Sequence, residues 1–246
     1  MSALGHFLET AGIATAGISL VRENTELMRP PRALWVPFEL GRPFGAPHAP
    51  AFQMRVLLSA LALLDRTDGP VILEDFPDDA PESDSTASLV CPVNFPKPPN
   101  PDESDLLRAV LAETASLAPW HALFMETHGR SIATVSGLDI DAAARYAAAF
   151  LEPRSNPEPP EGRDQASTLR FAIEDLRNWR LEAITAQPGP KPSSKTLADW
   201  FWGETATGAL ALALALHPVL LESTSPRLRQ VGKGQLVPRA QQHRLG

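Results

Sequence analysis

The sequence predicts an α/β protein, with a partial parallel sheet and crossover helices in the N-terminal third followed by a mainly helical C-terminal region. Two short apolar runs rich in β-branched residues, 13–21 and 71–73, are typical of buried strands. Between them, residues 50–64 place apolar side chains at helical spacing. A strand, a crossover helix and a second strand favour parallel pairing. From residue 103 onward, the apolar spacing is mainly helical.

The first domain, a partial α/β domain, is expected to span residues 1–102. Residues 2–11 predict a helix that ends at Gly12, because glycine readily takes the left-handed conformation that closes a helix. The proline-rich segment 29–50 cannot form a long helix, since each proline removes a backbone donor and favours extended geometry in the residue before it. We expect an ordered loop there, and an acidic, proline-rich loop over 77–102 after the second strand.

The second domain, residues 103–246, is expected to be mainly helical, with a solvated linker near 152–167. Its helices are predicted at 103–129, 139–152, 167–189 and 193–222. Pro119 is expected to kink the first helix or divide it in two. Residues 131–138 favour a further short strand, and Ser194 is expected to mark an N-terminal cap region.

Composition excludes several classes of protein. The formal net charge is -7, which disfavours nucleic-acid binding because phosphate contacts require a basic face. The single cysteine, Cys91, excludes an intrachain disulfide framework. The apolar run 208–216 is about half of the roughly 20 residues that cross a bilayer, and no signal peptide precedes it. We therefore expect a cytoplasmic protein without a membrane segment, in which this run is a buried helix.

Four arginines fall within 21 residues, on a loop that is predicted to follow the first strand: Arg22, Arg29, Arg32 and Arg42. In open α/β sheets, ligands bind beyond the carboxyl ends of the strands, and a guanidinium suits a bidentate grip on a carboxylate or phosphate. The alternative interpretation is that these arginines pair with Glu23, Glu26 and Glu39 and fix a proline-rich loop.

Other reactive residues favour structural roles. Cys91 lies in the apolar stretch SLVCPVNF, expected to pack back on the sheet, and free cysteines are usually buried and inert. The histidines are scattered, and no metal-binding or nucleotide-binding motif occurs. The sequence therefore predicts no metal site, no cofactor and no catalytic residue within the chain. Trp200, Phe201 and Trp202 are expected near a helix start, where clustered aromatics usually mark a packing interface.

Five stretches of the chain carry a family resemblance: ALGHFLETAGIATAGISLVRENTE, RPPRALWVPFELGRPFGAP, PAFQMRVLLSALALLD, GPVILEDFPDDAP and LADWFWGET. Together they resemble the C-terminal portion of the glycine/sarcosine/betaine reductase selenoprotein B family, in its short reductase-like branch. The similarity is strongest over residues 3–81. It implies reductive cleavage of a carbon–heteroatom bond in a small, carboxylate-bearing substrate by a selenol or thiol.

The resemblance also implies where the reactive group belongs. In the family, the selenocysteine lies in a U-P-x-C-T motif just before the helix that corresponds to residues 2–11, where the helix N-terminus lowers the selenol or thiol pKa. This motif is not part of the chain. Selenocysteine is encoded by UGA, which is ordinarily a stop codon. We therefore expect Met1 to be an artefact of gene prediction and the reactive centre to lie upstream.

Seven residues match family stretches and are implied to form the substrate pocket or to grip its carboxylate. Arg22, Glu23 and Glu26 match an R-E-x-T-E stretch, and Arg29, Arg32, Glu39 and Arg42 match the proline-rich segment. The implied partners are the substrate and a partner reductase subunit or a second copy of the chain.

Two alternatives remain open at this stage. The chain could be a non-catalytic binding or assembly subunit that completes its sheet with a partner chain. In that case Trp200, Trp202 and the apolar 208–216 helix would form the interface. An independent enzyme that uses Cys91 is the third hypothesis.

Overall fold

A computed structural model describes residues 2–80, 103–152, 155–189 and 192–246, with the backbone alone at 103, 104 and 233. The chain divides into two compact units, Met1–Asp84 and Ser85–Gly246. The first contains a small parallel sheet and the second is built from helices. The predicted α/β fold class is confirmed. The expected 77–102 loop, its apolar stretch and Cys91 lie mostly or wholly outside the described residues.

The first unit is a three-stranded parallel sheet with helices around it. Its elements are α1 (Ser2–Thr10), β1 (Gly17–Ser19), α2 (Arg22–Met28), β2 (Arg32–Trp35), α3 (Pro50–Ala62) and β3 (Ile72–Asp75). The strand order is β1-β2-β3, with Ile18 opposite Leu34 and Leu34 opposite Glu74. The parallel arrangement was predicted, but the two predicted strands are not neighbours, because β2 lies between them.

The prediction of an ordered loop over 29–50 was wrong at the central strand, β2. The four residues of β2 contain no proline, although Pro31 precedes them and Pro37 follows closely. Because proline favours extended geometry in its predecessor and lacks only its own donor, a short strand fits between two prolines. The prediction of a continuous loop after the first strand was wrong at α2 as well, and β1 is shorter than the predicted 13–21.

The core of the first unit lies between α3 and one face of the sheet. Leu34 and Val36, two positions apart on and after the central strand, point to the same face and are almost fully buried. They pack in one cluster with Phe52 and Val56 of α3. Phe38, Phe52 and Phe76 form a mutual aromatic cluster with ring centroids 5.5 to 5.9 Å apart. This packing fixes the sheet against which the N-terminal elements lie.

The α-helices of the second unit are α4 (Glu103–His128), α5 (Ile140–Ala149), α6 (Gln165–Thr185), α7 (Ser194–Glu204), α8 (Ala206–Leu216), α9 (Pro218–Leu221) and α10 (Pro226–Gln230). The first of these continues as a single helix through Pro119 and ends before Gly129, whose φ is +70°, as predicted. Residues 155–163, in the predicted linker, form neither helix nor strand. The cap of α7 is Ser193 rather than the predicted Ser194, because the Ser193 hydroxyl accepts from the backbone N–H of Thr196.

The predicted strand at 131–138 is wrong. These residues form turns that are held by carboxylates of α6. Buried Asp175 accepts hydrogen bonds from the backbone N–H groups of Val135 and Ser136, at 2.9 and 2.7 Å. Glu182 accepts one from the N–H of Ile132 at 2.8 Å. Because these carboxylates satisfy the backbone donors, the segment needs no neighbouring strand.

The N-terminal cap of α6 makes the stability of the second unit depend on pH. Hydrogen bonding from Ser167 to the Asp164 carboxylate, with an N···O distance of 3.0 Å, lowers the pKa of Asp164. A carboxylate with a lowered folded-state pKa stabilises the fold above its unfolded pKa of about 3.9, and this stabilisation is lost as the pH falls.

In Asp164→Asn, the free energy of unfolding should therefore fall less than in the wild type when the pH is lowered into the acid range. Asparagine caps helices about as well as aspartate but does not titrate. In urea unfolding at about pH 6 and about pH 3, the wild-type chain should lose more stability than the variant. Ser193→Ala, which removes a cap without a charge, should be destabilised to a similar extent at both pH values. If the wild type and Asp164→Asn lost the same free energy of unfolding between the two pH values, this role of Asp164 would be contradicted.

Candidate functional site

The structure places the seven predicted site residues at different positions around the sheet of the first unit. Arg22 begins α2, pairs with Glu26 one turn later, and contacts Asp75 at the carboxyl end of β3 with an N···O distance of 3.1 Å. Its guanidinium carbon lies 6.0 Å from the ring centroid of Trp35. The expected position at the carboxyl ends of the strands is therefore found for Arg22, but its carboxylate partners come from the chain itself.

The remaining predicted residues, apart from Arg32, are exposed. Arg42 faces Glu39 at 3.6 Å, and both side chains are about half exposed. Arg29 caps the end of α2 with a left-handed backbone, φ 47°, and Glu23 lies on the outer side of that helix. For Arg22 and Arg42, the alternative interpretation of arginine–glutamate pairing describes the geometry. Exposed pairs of this kind contribute about 0–1 kcal/mol.

Arg32 is the predicted residue that lines a cavity. The cavity has a volume of about 300 Å³ and lies beside α1, β1 and the start of β2. Its lining residues are Ser2, Leu4, Gly5, Leu8, Thr15, Ala16, Gly17, Ile18, Ser19, Thr25, Pro30, Pro31, Arg32 and Ala33. The wall is mainly apolar, with hydroxyl groups and one guanidinium. At roughly 30 Å³ per water, the volume suits a small organic molecule.

The Arg32 side chain is held by a network that leaves its buried Nε without an acceptor among the described residues. Its Nη1 donates to Glu9 Oε1, which also accepts from the N–H and the hydroxyl of Thr15 at 2.7 and 3.1 Å. Hydrogen bonding from the Thr15 backbone, and then from Arg32, lowers the pKa of Glu9. Only 13% of the Arg32 side chain is exposed, and its Nε is buried without a partner among the described residues.

No family model, curated protein or solved structure matches this chain. The similarity to the reductase family accordingly rests on the sequence stretches given above.

The chemistry of the cavity wall suits a small anion, but no catalytic group lies among the described residues that line it. A buried guanidinium N–H can only donate, and in apolar surroundings a charged acceptor satisfies it best. The hydroxyls of Ser19 and Thr25, both in the cavity wall, hydrogen-bond to each other.

In the described ranges, no three His, Cys, Asp or Glu side chains are grouped to hold a metal ion. Every helix in these ranges is too short or too polar to span a bilayer.

Glu9 and Thr15 belong to the hydrogen-bond network of Arg32, and the sequence interpretation missed them. A local signal for them existed, because Gly12, with φ +81°, ends α1 and turns the chain back. A reversal at that glycine brings Thr15 to Glu9, which lies six residues earlier. The pairing of Glu9 with Arg32 across 23 residues has no comparable local signal.

The aromatic and apolar residues proposed for an assembly interface are buried within the second unit. Trp200, Phe201 and Trp202 lie near the end of α7 rather than at a helix start, and each is at most 4% exposed. Leu210 and Leu214 of α8 are fully buried in the same cluster. The predicted use of these residues as a surface for a partner chain was wrong, because the unit's own core already covers them. The prediction that 208–216 forms a buried helix fits α8.

Proposed function

We propose that this chain forms the substrate-binding part of a selenoprotein B-like reductase that acts on a small, carboxylate-bearing molecule. The observation that supports this proposal is the buried Arg32 Nε, which lacks a partner among the described residues and belongs to a side chain lining a mainly apolar cavity. Burying a donor without an acceptor costs about 1–3 kcal/mol. A bound carboxylate would remove this cost, and the apolar wall would contact the remainder of the ligand.

The position of α1 is consistent with the chemistry that the resemblance implies. Ser2, Leu4 and Gly5, from the first turn of α1, line the cavity. In the resembled family, the selenol or thiol belongs to a motif directly before this helix. A reactive group at that position would lie near a ligand held by Arg32, and the helix N-terminus would stabilise its anionic form. This chain would supply binding and orientation, and the preceding motif would supply the nucleophile.

Arg32→Gln should weaken carboxylate binding at this cavity by roughly tenfold or more. Titration of the chain with propionate, followed by calorimetry and by NMR shifts of Gly5 and Gly17, should detect binding to the wild type. Loss of a charge-assisted hydrogen bond, worth about 1.5–3 kcal/mol, corresponds to roughly tenfold weaker binding or more. Propionamide, which has a similar shape without the charge, should bind weakly at best.

Arg42→Gln is the matched control, because it removes one guanidinium from the same unit but leaves the cavity wall unchanged. Propionate affinity should stay at the wild-type value in this variant. Equal weakening by Arg42→Gln and Arg32→Gln would point to a general charge effect and contradict the proposed site. Equal affinity for propionate and propionamide would contradict recognition of a carboxylate.

A further inference from the structure

A second cavity, in the helical unit, carries two more arginines. It has a volume of about 180 Å³ and lies between α6, Trp202 of α7 and residues 234–238. Helix α6 contributes Arg170, Ile173, Glu174 and Arg177. Their spacing of three, four and seven residues places them on one side of the helix. The lining therefore combines two guanidiniums and one carboxylate with apolar side chains.

Both arginines have a buried donor without an acceptor. The Nε atoms of Arg170 and Arg177 are buried and have no hydrogen-bond partner among the described residues. The Arg170 guanidinium carbon lies 4.7 Å from the ring centroid of Phe171, a contact that leaves the Nε donor unsatisfied. A buried donor is unfavourable when no acceptor is present. Two of them at one cavity indicate that an acceptor from outside the described chain belongs there.

Arg180, on the same helix, shows how this fold satisfies an arginine with a structural role. It is fully buried, and its Nε donates to Glu113. Its other nitrogens donate to the carbonyl oxygens of Leu176 and Val110 and to the Thr114 hydroxyl, at 3.0 to 3.2 Å. On the same helix, the Nε of Arg180 therefore has an acceptor, whereas the Nε atoms of Arg170 and Arg177 have none among the described residues.

The charges at the cavity favour an anion with a single negative charge. Within the described residues, no ion pair joins Glu174 to Arg170 or Arg177, although all three line the cavity. Two cationic groups and one anionic group leave one positive charge in excess. A monoanion such as a carboxylate balances this excess, whereas a phosphate dianion would also be repelled by Glu174.

We propose that this cavity binds a small carboxylate with a short apolar body, independently of the Arg32 cavity. The Nε–H groups of Arg170 and Arg177 donate to the carboxylate. Trp202 and Val237, both almost fully buried, contact the apolar body. The volume corresponds to roughly six waters at about 30 Å³ each, which suits an acid of four or five carbons. Glu174 restricts the ligand to a single negative charge.

The test is an NMR titration of the full chain with butyrate, observing the arginine Nε–Hε signals. These signals are assigned by their disappearance in Arg170→Gln and Arg177→Gln. Butyrate should shift both signals in the wild type, and Arg177→Gln should weaken its binding at this cavity about tenfold or more. Glu174→Gln should bind butyrate several-fold more tightly, because it removes a like charge. Arg145→Gln, at an exposed position on α5, should bind as the wild type does.

Three results would overturn the proposal. Butyramide could shift the same signals with equal affinity, phosphate could bind while butyrate does not, or saturating butyrate could leave both Nε signals unmoved. The last of these is decided by the titration of the wild-type chain, once the two glutamine variants have served to assign the signals. The two cavities are distinguished by Arg32→Gln, which should leave the Arg170 and Arg177 shifts unchanged.

Discussion

Glu113→Gln is expected to lower the free energy of unfolding of the helical unit by about 3–5 kcal/mol. Glu113 and Arg180 are both fully buried and form an ion pair between α4 and α6. Burial lowers the pKa of Arg180, and the charge of Glu113 offsets part of this effect. Glu113 also accepts from the N–H of Ala206, at 2.6 Å, and from the hydroxyl of Thr207, at 3.3 Å. A neutral glutamine would leave the Arg180 charge buried and uncompensated.

Urea unfolding followed by far-ultraviolet circular dichroism measures this effect, and two further variants define its cause. Asp105→Asn, in an exposed pair with Arg108 on α4, should change stability by less than about 1 kcal/mol. Glu113→Leu combined with Arg180→Met removes both charges and should recover part of the loss. If the double variant were as unstable as the sum of its single variants, an uncompensated charge would not be the cause.

Gly208→Ala is expected to destabilise the same unit by about 3 kcal/mol, at the upper end of the usual cost of overpacking. Gly208 lies in the first turn of α8, where its N–H donates to the cap residue Thr205. A Cβ at this position would lie 2.1 Å from the carbonyl oxygen of Phe201. That oxygen also accepts from the Thr205 hydroxyl at 2.6 Å. Because the clash is with backbone, α7 and α8 would have to separate at their junction.

Gly203→Ala is the matched control for this variant. A Cβ there would approach the end of the Arg244 side chain at 3.0 Å, and a flexible guanidinium can move aside. Alanine also has a better helix propensity than glycine, by about 0.8–1 kcal/mol. Thermal unfolding should therefore find Gly203→Ala close to the wild type, and Gly208→Ala clearly below it. Similar melting temperatures for the two variants would contradict the proposed backbone clash.

The candidate site was predicted from sequence only in part. A cluster of arginines pointed to the segment 22–42, and one of its members, Arg32, lines the cavity. Arg22 and Arg42 have the same chemistry but pair with carboxylates of the chain. Sequence spacing could not separate these cases, because a free donor and a paired donor differ only in their three-dimensional neighbours. Neither Arg170 nor Arg177 was recognised, since α6 has the charge pattern of an ordinary amphipathic helix.

The features that depend on neighbours within a few residues could be predicted from the sequence. The α/β class, the turn at Gly12, the end of α4 before Gly129 and the helix α3 all follow from backbone preferences and apolar spacing. Local patterns report these features because each is set by the conformation of a short stretch of chain. The structure also contains each of these features, and the predicted and observed boundaries differ by only a few residues.

Which polar groups are buried, and what each of them contacts, depends on the folded arrangement of distant segments. The tertiary structure places a proline-flanked segment at the centre of the sheet as β2 and covers Trp200 with the unit's own core. It also pairs Glu113 with Arg180, 67 residues apart, and leaves the Arg32 Nε without a partner. The physical reason is that burial and pairing depend on contacts between distant segments. Their cost or gain in free energy arises only once those segments have excluded water from each other.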